Sequence, residues 1–537
     1  MSFGATKLLA ASGGKDYEID QSLMFNSADT AYLNRTPSSE GNRRTFTLSA
    51  WVKMTTAGFG NGAIFCCGTG TNDASTTYIA FYQGKMQYQG YNTNYRVTNR
   101  VLRDVGAWYH FVWAVDTTIA DGSADNRIRL YVNGVEETSF GTKNNPTQNY
   151  EFIINSTNEH QLGDEGNQTG GINPWDGYMA EVNFIDGSQL TPSSFGETDS
   201  ETNAWIPKKY GGAYGTNGFY LKFVSGAIGT DSSGEGNNYT ANNLADSDVL
   251  LDTPTNNFCT YNSLDNGSTV LSQGNLKFVN SSGNSDTGCT MQIPFTGKWY
   301  WEIRATVVDA MYYGITRTSY TGTDGSYGSD GRAILYNGTF WNGSSAASYG
   351  SSYSDGDIVN VAFDCDNSKL YFGKNGTWFN SGNPATGSNP AGSVTASEAW
   401  VPNMYGNSGT QNDLNFGQNG TFNGLVTAQG NADGGGIGNF YYSVPSGFKA
   451  LCSKNLPTPT IKLSTNHFNT VLYTGDGSST RSITGAGFRP DFTWLKSRTE
   501  AYSHLLYDSV RGAGASKALK SNSDAVEGEN DNATYGY

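Results

Sequence analysis

Hydrophobic and polar residues alternate with period two along most of the chain, in short runs broken by Gly, Asn, Ser and Asp. Thr45-Phe46-Thr47-Leu48-Ser49-Ala50-Trp51-Val52-Lys53 puts Phe46, Leu48, Ala50 and Val52 on one face, the signature of a half-buried strand. Similar runs lie at Trp108–Asp116, Arg127–Val132 and Gly177–Asp186, and later at Gly297–Ile303, Ile358–Asp364 and Leu414–Gln418. Three times a Leu-Tyr strand meets an Asn-Gly corner, at Asn133-Gly134, Asn337-Gly338 and Asn375-Gly376. Asn-Gly favours a type I′ turn, because both residues tolerate positive φ, so each corner predicts a tight antiparallel hairpin. The pattern predicts an all-β chain of antiparallel sandwiches or jelly rolls.

At 537 residues the chain exceeds one core, and its 13% aromatic content supplies several. Six segments are expected: an extended N-terminal adaptor at 1–20, a sandwich at 21–225, and a Gly/Ser/Asn-rich linker at 226–257. A second sandwich at 258–425 follows, then a connector at 426–457 and a partial third β-rich module at 458–537 that is expected to continue past Tyr537.

Net charge is −15 without any Lys/Arg run, which argues against nucleic-acid binding, since phosphate neutralisation needs a basic stripe. No run of 18 apolar residues predicts a membrane span, and the first ten residues lack the core of a signal peptide. The six cysteines show no Cys-x-x-Cys spacing, so neither zinc nor disulfides are expected.

Catalytic chemistry is sparse. Of four histidines, His110 lies among Trp108 and Phe111 and reads as a packed residue, whereas His160, within Asn158-Glu159-His160-Gln161, reads as solvated. A glycosidase needs two carboxylates roughly 5–9 Å apart. Glu181 and Asp186 are five residues apart, so alternation sends them to opposite faces, and Asp364 with Asp366 reads as a tight turn. No catalytic residue, metal ligand or cofactor is expected, and the chain reads as a non-enzyme. Binding chemistry is richer: the stretch from Thr316 to Ser354 sets Tyr320, Tyr327, Tyr336, Trp341 and Tyr353 among Gly and Ser, an adaptable recognition surface. An alternative reading makes Tyr336 and Trp341 part of a core hairpin around Asn337-Gly338.

The order Ser-x-Trp-Val-Lys, Trp-Tyr-His, Leu-Tyr-Val-Asn-Gly and Gly-x-x-x-Glu-Val at 49–182 resembles laminin-G-like, concanavalin-type sandwiches. Ala180-Glu181 stands where an Asp-Glu pair is common in that superfamily, which argues against its calcium site. Residues 297–418, with Gly297-Lys298-Trp299-Tyr300-Trp301-Glu302, Gly356-Asp357-Ile358-Val359, Asn375-Gly376 and Asn415-Phe416-Gly417, resemble the SPRY domain, a protein-recognition sandwich. Together with Pro445–Cys452, Gly487-Phe488-Arg489-Pro490-Asp491 and the Met-Ser-Phe-Gly-Ala start, the chain resembles tandem-sandwich virion proteins of tailed, especially marine, bacteriophages. That resemblance implies a tail fibre or receptor-binding protein, trimeric and made in the host cytoplasm. Its N-terminal segment or sheet edges would contact other virion proteins, and its loops a host glycan or protein. A capsid-decoration or tail-connector protein, and the non-catalytic part of a carbohydrate-active enzyme, are the alternatives.

Overall fold

The computed structural model describes residues 17–56, 62–164, 174–320, 328–395, 397–478, 481–512, 514–524 and 526–528. Regular structure is almost wholly antiparallel strand, with helix confined to short 3-10 turns. The chain divides into two compact units, one of residues 1–199 with 204–458 and one of residues 200–203 with 459–537.

Two sandwiches make up the larger unit. In the first, an eight-stranded sheet runs in the order Val135–Glu136, Ile128–Val132, Trp108–Asp116, Thr45–Met54, Gly177–Asp186, Ser22–Phe25, Val249–Leu250, with Phe219–Leu221 beside Gly177–Asp186. The opposing sheet has the order Phe140–Lys143, Asn94–Thr98, Lys85–Gly90, Thr76–Tyr82, Gly62–Gly68, His160–Leu162, Tyr32–Arg35, Thr240–Asn242. Phe46, Leu48, Ala50 and Val52 enter the shared core with Phe65, Ile79, Phe81 and Trp113, as the alternation predicts. The outer face of that strand is buried as well, because Trp51 joins a second cluster that includes Trp108, Tyr178 and Leu276.

Of residues 226–257, read as a linker, those up to Leu250 are instead built into this sandwich, and Leu251–Asn257 lie at its junction with the second, where the Leu251 N–H donates to the Gln418 carbonyl and the Asn257 N–H to Ser453. Thr240–Asn242 pairs with Tyr32–Arg35 and Val249–Leu250 with Ser22–Phe25, while Ile228 and Tyr239 enter the core. Their Gly/Ser/Asn composition reflects turns between very short strands, held by buried side chains that include Ile228, Tyr239 and Leu250.

The second sandwich packs a nine-stranded sheet, centred on Lys298–Val307, Ile358–Asp364 and Gln411–Asn415, against a six-stranded one. The latter runs Ser285–Gly288, Trp400–Gly406, Tyr312–Arg317, Gly331–Leu335, Thr339–Trp341, Ala346–Ser348. Trp301, Ile303, Tyr313, Ile315, Val361, Phe372 and Leu414 fill the space between them. Most of the expected connector belongs here too. Lys449–Ala450 pairs in parallel with Lys298–Val307, and Phe440 and Phe448 are core residues. Glu302, fully buried, holds this segment: its carboxylate accepts the N–H groups of Tyr441 (2.8 Å) and Tyr442 (2.7 Å) and the Tyr300 hydroxyl (2.8 Å). Burial pushes its pKa up to about 7 against the opposing pull of those donors.

Buried polar contacts join the two sandwiches. Lys53, 1% exposed, donates to Asp252 (2.7 Å) and Asn257 (2.8 Å), and Asp252 also accepts the Trp108 indole N–H at 2.9 Å. Tyr178 donates to the Gly274 carbonyl (2.6 Å), while Ser263 and Asn275 both donate to the Thr55 carbonyl. A strap at the N-terminal end spans this junction. The Tyr17 hydroxyl reaches Glu181 and Tyr220 of the first sandwich, Glu18 pairs with Lys454 at 2.6 Å, and Ile19 exchanges backbone hydrogen bonds with the Thr255 hydroxyl.

The corners differ in kind. Asn133-Gly134 (φ 49° and 80°) and Asn375-Gly376 (φ 51° and 76°) have both residues left-handed, as type I′ turns require. At Asn337-Gly338 only Gly338 is left-handed (φ 83°), and its N–H donates to Leu335, which makes a type I turn followed by a glycine bulge. The two type I′ corners share a further device. Asn133 accepts the His110 N–H through its side chain and donates its own N–H to the His110 carbonyl; Asn375 does the same with Ile358.

Both sequence-flagged histidines of the first sandwich are buried, which corrects the solvated reading of His160. Its Nε2 accepts the Asn155 N–H (2.8 Å), so Nδ1–H donates to the Asn158 carbonyl (2.8 Å), and burial lowers its pKa to about 4. His110 lies between Trp51 and Trp205; the Trp205 indole N–H donates to Nδ1 at 3.0 Å, so Nε2–H donates to Ser49. Burial lowers its pKa to about 3.

Glu181 also departs from expectation. The strand Gly177–Asp186 bulges between Ala180 and Asn183, and Glu181 sits there at φ 52°, so simple alternation does not place its side chain. Glu181 faces Tyr17 and Tyr220, while Asp186 accepts the N–H groups of Asn42 and Asn217; the two carboxylates serve separate networks.

The smaller unit contains a three-stranded sheet, Phe492–Leu495, Leu505–Asp508, Leu519–Lys520. Its buried apolar side chains, among the described residues, are Tyr507 and Ala518.

Candidate functional site

The site grows out of register in the six-stranded sheet. Tyr313 and Ile315 point into the core, so Tyr312, Gly314 and Thr316 point outward. Opposite Tyr312 stand Tyr405 on one side and Leu335 on the other; opposite Gly314 stand Asn403 and Ala333, and Trp341 faces Ala333. Tyr405, Tyr312, Ala333 and Trp341 therefore form one apolar cluster on the outer face. The Tyr312 and Tyr405 rings lie 4.7 Å apart at 41°. Small residues at Gly314 and Ala333 keep the middle of this face shallow between larger rings.

Polar groups border it. Asn403 donates to Asp286 at 3.2 Å, and its own Oδ1, fully buried, makes no hydrogen bond to a described residue. Tyr405 donates to Asn407 (3.0 Å), and burial, with Tyr312 and Asp286 nearby, pushes its pKa up to about 12. Beyond the far end, Arg317 grips Glu398 through two nitrogens (2.9 and 2.8 Å) and Asp330 through a third (3.0 Å), and its guanidinium lies over Trp400. Aromatic faces with phenolic, amide and carboxylate neighbours suit binding of a flat, partly apolar and hydroxylated partner.

Of the residues singled out from sequence, two belong to this region. Trp341 lies on the face, half-buried, with its indole N–H donated to the Gly328 carbonyl (2.9 Å). Tyr336 is 40% exposed in the corner beside Tyr312, whose pKa is raised by burial first and by Tyr336 second. Tyr320 is half-buried just past the strand Tyr312–Arg317, its N–H bonded to the Arg317 carbonyl. Tyr353 is corrected to a core residue: 3% exposed, it stacks on Tyr313 and donates to the Met311 carbonyl at 3.0 Å. A Tyr amid Ser and Gly resembles a loop platform, yet a single large ring in a long loop is also what anchors that loop. Tyr327 lies outside the described residues.

Tyr312 and Tyr405 were missed. Their signal is the doublet pattern Met311-Tyr312-Tyr313 and Met404-Tyr405, in which a strand that contributes one ring to the core must turn its neighbour outward. Asp364 and Asp366 lie in a turn: Asp364 pairs with Lys298 and caps Asn367, while Asp366 accepts the Gly297 N–H. Among the described residues, no group of three or more His, Cys, Asp or Glu could hold a metal ion. Among the described residues, no helix is long and apolar enough to cross a membrane.

Residues 26–194 match the model of the concanavalin A-like lectin/glucanases superfamily. Residues 298–418 match the SPRY domain, and residues 463–535 match a domain of unknown function, DUF7483. Among solved structures, the SPRY domain of human HERC1 is 16% identical over 29% of this chain and 96% of its own, with a TM-score of 0.25. A carbohydrate binding protein from Bacteroides ovatus, so described in its structure's name as a provisional assignment, is 18% identical over 43% of this chain and 60% of its own, with a TM-score of 0.28. A heptameric pentraxin from Limulus polyphemus is 20% identical over 32% and 78%, with a TM-score of 0.25. No curated protein matches the chain. Sheet order, core and matched segments together make this an all-β chain that carries a concanavalin A-like domain and a SPRY domain in tandem, a combination suited to binding.

Proposed function

We propose that the chain is a non-enzymatic adhesion protein of a tailed-bacteriophage virion, carried on a tail appendage, whose tandem sandwiches present a binding face to a host-surface glycan. The observation that carries the binding role is the outer aromatic face, the half-buried Tyr312 and Trp341 beside the buried Tyr405, Asn403 and Asp286. The buried Lys53–Asp252 junction supports it, since a stiff pair of sandwiches fixes where that face points. The virion assignment rests on the resemblance of the N-terminal and C-terminal motifs to phage proteins.

Two experiments test the reading. On an array of bacterial surface glycans, the chain should bind a subset, and Tyr312→Ala and Trp341→Ala should each weaken binding about tenfold or more, the range expected for loss of an aromatic platform. Binding unchanged in both variants would remove the face from the function. Immunogold labelling of phage particles should mark tail appendages; gold on the capsid would replace the fibre assignment with a decoration protein. Release of reducing ends from a bound polysaccharide would overturn the non-enzymatic assignment.

A further inference from the structure

An Asn-Gly pair can lose its side-chain amide spontaneously, because glycine carries no Cβ to keep its backbone nitrogen from attacking the preceding side chain. Among the described Asn-Gly pairs, three have an exposed Asn, at Asn337, Asn342 and Asn375. Two of them are locked. The Gly376 N–H is donated to the Asn360 side chain and the Gly338 N–H to the Leu335 carbonyl, both at 2.9 Å, so neither nitrogen is free to attack. The Gly343 N–H makes no hydrogen bond to a described residue.

The carbonyl in front of Gly343 is also activated. Asn342 Oδ1 accepts the N–H groups of Ser344 and Ser345, each at 3.0 Å, and the Ser344 hydroxyl at 2.9 Å. Three donors converging on one amide oxygen stabilise an oxyanion, and they are in place before any charge develops. Asn342 Nδ2, the leaving nitrogen, points at the Ser345 hydroxyl (3.3 Å), which is placed to relay a proton to it. The Arg332 guanidinium lies against Gly343, where a Cβ would collide with its Nη1, and its positive charge favours the deprotonated backbone nitrogen.

We infer that Asn342 is a self-modification site, where the chain converts an amide to a carboxylate with water as the co-reactant. The Gly343 nitrogen gives its proton to hydroxide and bonds to Asn342 Cγ. The tetrahedral oxyanion then collapses, the Cγ–Nδ2 bond breaks, and the nitrogen leaves as ammonia with a proton relayed through Ser345. Water opens the resulting cyclic imide at either carbonyl. The product is aspartate or isoaspartate, which adds one negative charge next to Trp341 and the Arg332 guanidinium.

Peptide mass spectrometry of the full chain, aged at neutral and mildly alkaline pH, reads the conversion at each pair. Asn342 should convert about tenfold or more faster than Asn337 and Asn375, and faster as pH rises, since the attacking nitrogen must lose its proton. Ser344→Ala removes one donor but keeps both backbone N–H groups, and should slow the conversion severalfold. In strong denaturant the three pairs should react at similar rates, which separates folded geometry from local sequence. Equal rates in the folded chain, an Asn342 advantage that survives denaturation, or an unchanged rate in Ser344→Ala would each overturn the inference.

Discussion

Single side chains set the corners and the acid response of this protein. Asn375 and Asn133 each close a two-way backbone bridge that a different residue could not complete, so Asn375→Ala loses a side-chain acceptor and a residue that tolerates positive φ. We expect it to cost about 1–2 kcal/mol by urea denaturation, with an unchanged m-value. His110 works by staying neutral. Its folded pKa is near 3 against about 6.5 unfolded, so its contribution is complete above pH 6.5 and is lost as pH falls toward 3. The penalty of His110→Gln should therefore be largest at pH 7 and shrink by on the order of 1 kcal/mol per pH unit below 6.5; a penalty independent of pH would contradict a neutral buried imidazole. At this scale, sequence marked His110 correctly through its Trp and Phe neighbours. His160 was hidden, because a polar neighbourhood in sequence says nothing about a three-residue strand flanked on both sides.

Among elements, the long strands were legible and the short ones were not. Thr45–Met54 and Gly177–Asp186 each carry enough alternation to show the core face, whereas Thr240–Asn242 and Lys449–Ala450 hold two or three residues and no period. What pins such pieces is remote. Tyr441 and Tyr442 are held by Glu302, more than a hundred positions earlier, a partnership that spacing cannot reveal. Glu302→Gln replaces one acceptor oxygen with a donor that faces an N–H, and should destabilise by about 1–3 kcal/mol. Its pH dependence runs opposite to that of His110. Because the folded pKa, about 7, exceeds the carboxylate reference of 4.5, the native group contributes most below pH 4.5 and loses that contribution as pH rises through 7. The Glu302→Gln penalty should shrink over that interval in parallel denaturation series. The binding face was half legible for a related reason: Trp341 and Tyr336 announce themselves in a loop-like stretch, but Tyr312 and Tyr405 become neighbours only through sheet register.

For the molecule as a whole, the junction between sandwiches decides whether it acts as two bodies or one. Lys53→Ala would leave Asp252 without its ion-pair partner in a buried site, a loss of about 3–5 kcal/mol. Calorimetry of residues 1–458 within the intact chain should show the sandwiches melting together, and Lys53→Ala should separate them into two transitions; one unchanged transition would make the junction incidental. The strap from Tyr17 to Ile19 bears on mechanics. It grips both sandwiches and runs directly into Ser22–Phe25, a strand paired antiparallel on both sides, to Gly177–Met179 and to Val249–Leu250. Tension drawn along that strand would load two ladders in shear, where several hydrogen bonds must fail at once, instead of peeling them singly. Pulled from its N-terminal end in an optical trap, the chain should yield in one high-force step, and removing the Tyr17 anchor by Tyr17→Phe should lower that force while leaving resistance to urea nearly unaltered.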